Sequence, residues 1–486
     1  MNFADTLIRR LSPHSGLGLA GVSLKLGPNE LRQSILGAGA AFLSLGLRAG
    51  DRVLIGCQLS PMPAVSILGA MHAGLVAVPV DEAQLTNQAE MFLKSAGAKA
   101  IWVEQEATVA RLSATGVPVS HGLRSSQANA AVPRQLGDLA ALMTTSGSTG
   151  TPRLVKVTHG NLLANTIAIA ESQRLTELDR ALLILPASYC FGASVLFSHL
   201  FSGGSVIFDS RFMFPDKVLK AISEFQCTTF AGVPSVYQIL LKRSNLGTIP
   251  MPSLRRLLQA GGALPVDLVQ EICRRLPLVD FYVMYGQTEA TARISCLPPE
   301  MLDCKLGSVG RPLPNLEVAI RDDSGRPLAA NTSGRIYIKG PSVSPGYWDE
   351  SERDHEVFVD GWLDTRDTGH LDDDGYLWIE GRDGDFVKIR GRRIAYGEIE
   401  TKVRSIEGVQ DAAACAVPHH EAGEAPALFV VPHREADRDE VLQRVQKGIP
   451  PAWTCEQIQA IAQLPLNTRG KLDRQVLASL LQEAHE

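Results

Sequence analysis

The sequence predicts an α/β protein: a large N-terminal body of parallel sheets covered by helices and carrying a β-rich subdomain, then a small α+β C-terminal domain. Three observations lead there. From about Leu142 to Met284, short apolar runs alternate with amphipathic runs across Gly, Pro, Ser and Thr turns, the pattern of a parallel sheet with helices on both faces. After Pro299 the texture changes to short alternating strands such as GRIYIKG and GHLDDDGYLWIEG. Beyond a polar, glycine-bearing link at Gly381-Arg382-Asp383-Gly384-Asp385, an independent α+β pattern fills the remainder, so the domains are placed at residues 1–381 and 382–486. A chain of 486 residues also exceeds what one hydrophobic core serves.

Taken in order, MNFADTLIRRLSPHS reads as an amphipathic first helix. It has no apolar signal-like core and carries an early acid, so a cytoplasmic protein is expected. Gly16-Leu17-Gly18-Leu19-Ala20-Gly21 spells GxGxxG, but no strand precedes it and the dinucleotide-binding context is missing. The block LRAGDRVLIGCQLSPMPAVSILGAMHAGLVAVPVD repeats the strand-helix pattern and joins the large body. AALM, ALLIL, SVIF, TTFAGV, LRRLLQA and FYVMY read as strands, with NLLANTIAIAES and PVDLVQEICRRL as helices between some of them. Ala181–Phe208 lacks Asp, Glu, Lys and Arg and is long enough for a bilayer. Pro186, Gly192 and Gly203-Gly204 instead divide it into strand, turn, short helix and strand of a buried sheet. Asp374-Gly375 marks a two-residue hairpin.

Lys and Arg number 47 against 52 Asp and Glu, a net charge of −5, and 45% of residues are hydrophobic. That balance, without a basic block, excludes a dedicated nucleic-acid binder and a disordered chain. Cys57, Cys190, Cys227, Cys273, Cys296, Cys304, Cys415 and Cys455 include no CxxC pair and none lies at ligand spacing from a His, which suggests reduced thiols. His419-His420 sit in a Pro/Gly/Glu-rich loop and read as solvated.

Four segments carry candidate chemistry. Thr144-Thr145-Ser146-Gly147-Ser148-Thr149-Gly150-Thr151-Pro152 follows an apolar strand and precedes a helix-like run. Small residues turn backbone N–H groups inward and hydroxyls add donors, so such a loop wraps a polyphosphate. It is no Walker A loop, since Pro152 stands where Gly-Lys would begin to be needed. Tyr285-Gly286-Gln287-Thr288-Glu289 follows the strand FYVM and so lies at the carboxyl end of a parallel strand, where open α/β sheets bind ligands. A ring, a tight turn, a hydroxyl and a carboxylate there suit a base, a phosphate and a magnesium ion. Gly361-Trp362-Leu363-Asp364-Thr365-Arg366-Asp367-Thr368-Gly369 offers Asp367 to two ribose hydroxyls, and Pro465–Arg474 holds Lys471. Each segment alone also reads as an ordinary loop.

In order and in combination, TSGSTGTP, YGQTEAT, DTGHLDDDGYL with GR, VKIRGRRI-x-x-GEIE and NTRGKLDR resemble the blocks of the adenylate-forming superfamily. The likeness runs from LRAGDRV to Leu472, and SYCFGASV with YGQTEATAR looks most like stand-alone bacterial acyl-CoA synthetase-type ligases. The resemblance implies ATP, magnesium and a two-step reaction: a carboxylate attacks the α-phosphorus and releases pyrophosphate, then a thiol displaces AMP. Carried over by position, Thr145, Ser146, Gly147, Ser148, Thr149 and Gly150 hold the β/γ-phosphates. Thr288 binds the α-phosphate and Glu289 the magnesium. Tyr285, Gly286 and the Gly261-Gly262-Ala263 turn flank adenine, and Asp367 with Arg382 holds the ribose. Lys471 bridges carboxylate and α-phosphate, then leaves as a mobile C-terminal domain rotates and brings Gly391 to the thiol's path.

The usual Pro-Lys-Gly is Pro152-Arg153-Leu154 here, exchanging a point charge for a planar fork, with Lys156 nearby. The usual hinge Asp or Lys is Gly384, flanked by Asp383 and Asp385. His159 is expected to cap or pack. Amino-acid-activating relatives use the Asp of Phe-Asp-x-Ser to hold an α-ammonium, and this chain has Phe191-Gly192-Ala193-Ser194. An acid without an α-amino group is therefore expected, with Tyr189, Phe191, Gly192, Val233 and Met284 as pocket wall. The acceptor is expected to be CoA or the phosphopantetheine of a separate carrier protein, since no Leu-Gly-Gly-x-Ser-type carrier site is read in these residues. Two rival readings are a stand-alone amino-acid adenylation enzyme that loads a carrier, and a non-catalytic nucleotide-binding member of a biosynthetic complex.

Overall fold

The structure is a computed structural model. It describes all residues except 14–15, 123–130, 146–152, 349–353, 383–385, 390–391, 420–421, 435, 456, 467–471 and 484–486. Of the expected site residues, Ser146, Gly147, Ser148, Thr149, Gly150, Gly391 and Lys471 lie outside the described residues, as do Asp383–Asp385 and His420.

The strands in chain order are β1 (Leu19–Ala20), β2 (Lys25–Leu26), β3 (Arg52–Cys57), β4 (Val76–Asp81), β5 (Ala100–Val103), β6 (Val119–His121), β7 (Leu139–Thr145), β8 (Arg153–Thr158), β9 (Arg180–Leu183), β10 (Ser205–Phe208), β11 (Thr229–Gly232), β12 (Arg256–Gln259), β13 (Asp280–Tyr285), β14 (Ser295–Leu297) and β15 (Arg311–Pro312). Among them run helices α1 (Phe3–Arg10), α2 (Pro28–Ser44), α3 (Pro61–His72), α4 (Glu82–Ala96), α5 (Glu106–Leu112), α6 (His159–Ser172), α7 (Cys190–Phe201), α8 (Pro215–Glu224), α9 (Pro234–Arg243) and α10 (Val266–Arg275). Two sheets result. One has nine strands in the order β15-β14-β13-β12-β11-β9-β10-β1-β2, the other six in the order β6-β5-β3-β4-β7-β8. From β13 through β1 the larger sheet is parallel, with antiparallel strands at its edges.

The strands expected between Leu142 and Met284 all form. Their apolar runs are buried on both faces, as at Thr229–Gly232 and Ser205–Phe208, because helices cover the sheet. Ala181–Phe208 folds as the strand-turn-helix-strand read from its breakers, and among the described residues no helix is long and apolar enough to cross a membrane. One expectation is corrected. The run after residues 146–152 is not helical at first but makes β8, antiparallel to β7 with Thr145 opposite Arg153. Leu154, Val155 and Val157 are buried there, and β-branched residues favour the strand. Helix α6 begins only at His159, capped by the Thr158 hydroxyl.

Two compact units divide the chain: Met1–Val318 with Tyr337–Asp364, and Ala319–Ile336 with Thr365–Glu486. The first holds both large sheets. The second contains a hairpin of residues 365–371 and 377–382. Its connection is Asp372–Tyr376, longer than the two residues expected from Asp374-Gly375, because the Asp372 carboxylate accepts from the N–H groups of Asp374 and Tyr376. The independent α+β pattern begins at Phe386–Ile389. A four-strand path is joined by Gln457–Ala460, and the sheet has its own core around Val387, Ile399, Leu428 and Val445.

Candidate active site

In the first unit, the carboxyl ends of the parallel strands place the candidates. Gln259 of β12 is the register partner of Val283 of β13, so the turn Gly261-Gly262-Ala263 and the pair Tyr285-Gly286 leave neighbouring strand ends. Gly261 has φ +90°, which favours glycine, and Gln259 Nε2 donates to Gly262 O at 2.8 Å, holding the turn. Gly286 has a different reason for being glycine: a Cβ there would stand 1.8 Å from Ala292 O. That close approach pinches residues 287–292 into a closed loop, in which Thr288–Ala290 form one turn of 3₁₀ helix and Thr291 adopts φ +69°. Thr288 is buried and Glu289 half-buried.

The segment Pro341–Trp348 joins this loop to β8. Ser344 N donates to Glu289 O at 2.9 Å, Thr291 Oγ1 to Ser342 O at 2.6 Å, and Lys156 N to Gly346 O at 3.0 Å. Asn161 of α6 anchors the segment through Pro341 O and Val343 O. The result is a short chain of side chains. The Tyr347 hydroxyl donates to Glu289 Oε1 at 2.9 Å, and the Arg153 guanidinium lies over the Tyr347 ring, 5.1 Å from its centroid. Burial, reinforced by the Glu289 charge and this hydrogen bond, pushes the Tyr347 phenol above its ordinary value, while Arg153 opposes the shift. The phenol therefore stays protonated and keeps donating. Tyr347 escaped sequence reading, because a lone aromatic in a Pro/Ser/Gly loop carries no local mark of its partner. Arg153 lies beside the expected phosphate loop and stacks on that ring, a geometry that a Lys point charge does not reproduce.

The acid-pocket candidates also sit past or at strand ends. Tyr189 and Phe191 follow β9 and meet edge to face with centroids 6.4 Å apart, Val233 is buried after β11, and Met284 is buried on β13. Gly192 behaves otherwise. A Cβ there would meet Pro186 O at 2.4 Å and Leu185 O at 2.8 Å, so this position faces backbone and glycine permits α7 to approach it. A narrow cavity of about 20 Å³ is lined by Ala187, Cys190, Ser194 and Phe197 with Asn165 and Thr291, and none of the five expected pocket residues lines it. His159 is structural: its Nδ1 accepts from Phe3 N at 3.1 Å, tying α1 to the start of α6.

In the second unit, the expected ribose pair proves to be a cross-strand pair. Asp367 is the register partner of Arg382, with Asp367 Oδ1 at 3.7 Å from Arg382 Nε. Thr365 Oγ1 receives the Asp367 N–H at 3.1 Å and donates to Ile336 O at 2.8 Å. Asp367 is buried while Arg382 is half-exposed. Further on, Arg474, three residues after Lys471, is held at 2.8 Å by Glu400 and lies over the Tyr396 ring.

A hydroxyl-bearing loop at parallel strand ends, beside a half-buried carboxylate with one oxygen engaged, has the chemistry to receive a nucleotide and a divalent cation. Comparison with known proteins agrees. Residues 28–348 match the family model described as AMP-binding enzyme, and residues 398–471 match the AMP-binding enzyme C-terminal domain. The chain belongs to the AMP-binding enzymes, the adenylate-forming superfamily, and within it is a ligase of the acyl-CoA synthetase type. It is similar to a feruloyl-CoA synthase of Amycolatopsis sp, 30% identical over 95% of both chains. Similar too is a 2-succinylbenzoate–CoA ligase of Bacillus velezensis, 32% identical over 89% of this chain and 88% of the relative. The o-succinylbenzoate CoA synthetase of Bacillus subtilis, solved with its acyl-adenylate intermediate, superposes with TM-score 0.85 at 26% identity, covering 98% of this chain and 97% of that one. The same enzyme has been solved with ATP and a magnesium ion.

Proposed function

We propose that the chain adenylates a carboxylic acid lacking an α-amino group and passes the acyl group to a pantetheine thiol, CoA or a separate carrier protein. The names of the similar ligases support CoA. The acid oxygen attacks the α-phosphorus, the bond to the bridging oxygen breaks, and pyrophosphate leaves. The thiol then attacks the acyl carbonyl and AMP departs. Joining two anions demands electrostatic stabilisation. Thr288 donates to the α-phosphate, Tyr285, Gly286 and the Gly261–Ala263 turn flank adenine, and Asp367 with Arg382 takes the ribose. Thr145 and residues 146–150 hold the β/γ-phosphates beside Arg153. Glu289 fits a magnesium ion, because it is a hard oxygen donor whose Oε1 is steadied by Tyr347. When bound, the ion neutralises phosphate charge. Lys471 bridges carboxylate and α-phosphate, and Gly391 borders the thiol's path once residues 382–486 have rotated. A cytoplasmic location is part of the proposal, since ATP and CoA are supplied there and the cysteines are not joined in disulfides among the described residues.

The observation that carries the substrate reading is the packing of Gly192. An Asp at this position, needed to pair an α-ammonium, would collide with the Leu185-Pro186 backbone. The test is ATP–pyrophosphate exchange over fatty, aryl, hydroxy and amino acids, with CoA in a parallel series. Exchange with a non-amino acid, followed by CoA-dependent AMP release, is expected. Exchange confined to amino acids would overturn the substrate class.

A further inference from the structure

Arg293 is 2% exposed, among the largest fully buried side chains, yet none of its partners among the described residues is a carboxylate. Its Nη1 donates to the Met284 thioether, a weak acceptor, and its guanidinium lies 5.2 Å from the centroid of the Phe191 ring. Charges felt from nearby residues come from Cys296, Cys190 and Tyr189, none of them a carboxylate, and burial pushes the Cys296 thiol up to about 11. Burial pulls the guanidinium down to about 10, so it remains a cation at neutral pH.

A second observation points the same way. Arg293 lies beside the first turn of α7, a helix of 12 residues whose N-cap, Tyr189, provides no side-chain cap. The amino end of a helix carries partial positive charge. Guanidinium and helix end repel one another, and both are relieved by an anion. The backbone holds this arrangement firmly, since Asn165 Nδ2 donates to Arg293 O at 2.8 Å and Asn165 Oδ1 accepts from Arg293 N at 3.2 Å. Glu289 and Thr291 turn to the segment Pro341–Trp348, whereas Arg293 turns to Met284 and Phe191. The reacting carboxylate, which the proposed mechanism places against the α-phosphate held by Thr288 and Lys471, therefore leaves Arg293 for another group.

We propose that Arg293, with the amino end of α7, binds a second anionic group of the acid, and that the natural substrate is a dicarboxylic acid. The inference deepens the ligase reading and rests on it. Arg293 touches substrate and determines specificity without taking part in bond making.

The test is ATP–pyrophosphate exchange by the full chain with aliphatic and aromatic dicarboxylic acids, each paired with its monomethyl ester, in wild type and in Arg293→Met and Arg293→Lys. Wild type should prefer one diacid over its ester by roughly 100-fold in kcat/KM, as for a desolvated charge pair. Arg293→Met should bring that ratio to within a few fold of unity while leaving ester exchange little changed, and Arg293→Lys should retain part of the preference. Equal wild-type rates for diacid and ester, or an equal loss for both in Arg293→Met, would overturn the inference. If Arg293→Met does not fold, the wild-type ratio still decides. Exchange with monoacids alone refutes only the second-anion site, whereas no exchange with any acid refutes the ligase reading itself.

Discussion

Replacing Tyr347 by Phe removes one hydroxyl and leaves the ring that Arg153 covers at 5.1 Å. The hydroxyl donates to Glu289 Oε1 at 2.9 Å, and a hydrogen bond to a charged acceptor contributes about 1.5–3 kcal/mol. Glu289 is half-buried, so water compensates part of that loss and about 1–2 kcal/mol remains, roughly 5- to 30-fold in an equilibrium or rate. The carboxylate then samples other orientations, which should weaken its proposed hold on magnesium, while the fold is kept by the Ser344 N–H bond to Glu289 O and the Thr291 hydroxyl bond to Ser342 O. Initial rates of pyrophosphate exchange measured against free magnesium should show half-saturation rising by that factor. Thermal melts of the same samples should barely move. An unchanged magnesium dependence in a folded Tyr347→Phe protein would refute the role given to Tyr347.

Gly192→Ala forces a methyl against two backbone oxygens and should cost about 1–3 kcal/mol of stability, read as a lowered Tm, with Gly192→Asp worse and inactive toward every acid. An unaltered Tm and exchange rate in the Ala variant would show that the position has room. Lys471→Ala should abolish adenylation yet leave thioester formation from synthetic acyl-adenylate largely intact, so an equal loss of both steps would contradict its assignment. His159 and His199 are each held down to about 4, chiefly by burial. Because the unfolded chain takes up these protons first, stability should fall as pH drops from about 6.5 towards 4. His159→Asn should show a shallower decline, and an unchanged slope would sink that explanation.

The order of elements was legible because apolar runs such as SVIF and TTFAGV are short, dense and bounded by breakers, and burial on both faces needs nothing more. Thr288 and Glu289 stood out because a loop after a strand is a local pattern, whereas Asp367 and Arg382 lie on paired strands and stood out only as members of recurring sequence blocks. The sequence did not announce that Asp367 and Arg382 are cross-strand neighbours, since that follows from the hairpin register. Strand β8 was missed because LVKVT lies between a Ser/Thr/Gly loop and a strong helix, and its pairing with β7 outweighs the local pattern.

By itself, then, the sequence determined the alternation of strands and helices, the position of Thr288 and Glu289 just after a strand, and the absence of a carboxylate at position 192. Periodicity and turn chemistry act over a few residues, so a linear string suffices for them. Only the tertiary structure decided that Gly192 faces backbone, that Tyr347 reaches Glu289 from 58 positions away, and that Arg293 is buried beside Phe191 and Met284 with no acidic partner among the described residues. Those facts depend on which distant segments close-packing brings together, and on how much water it removes from each charge.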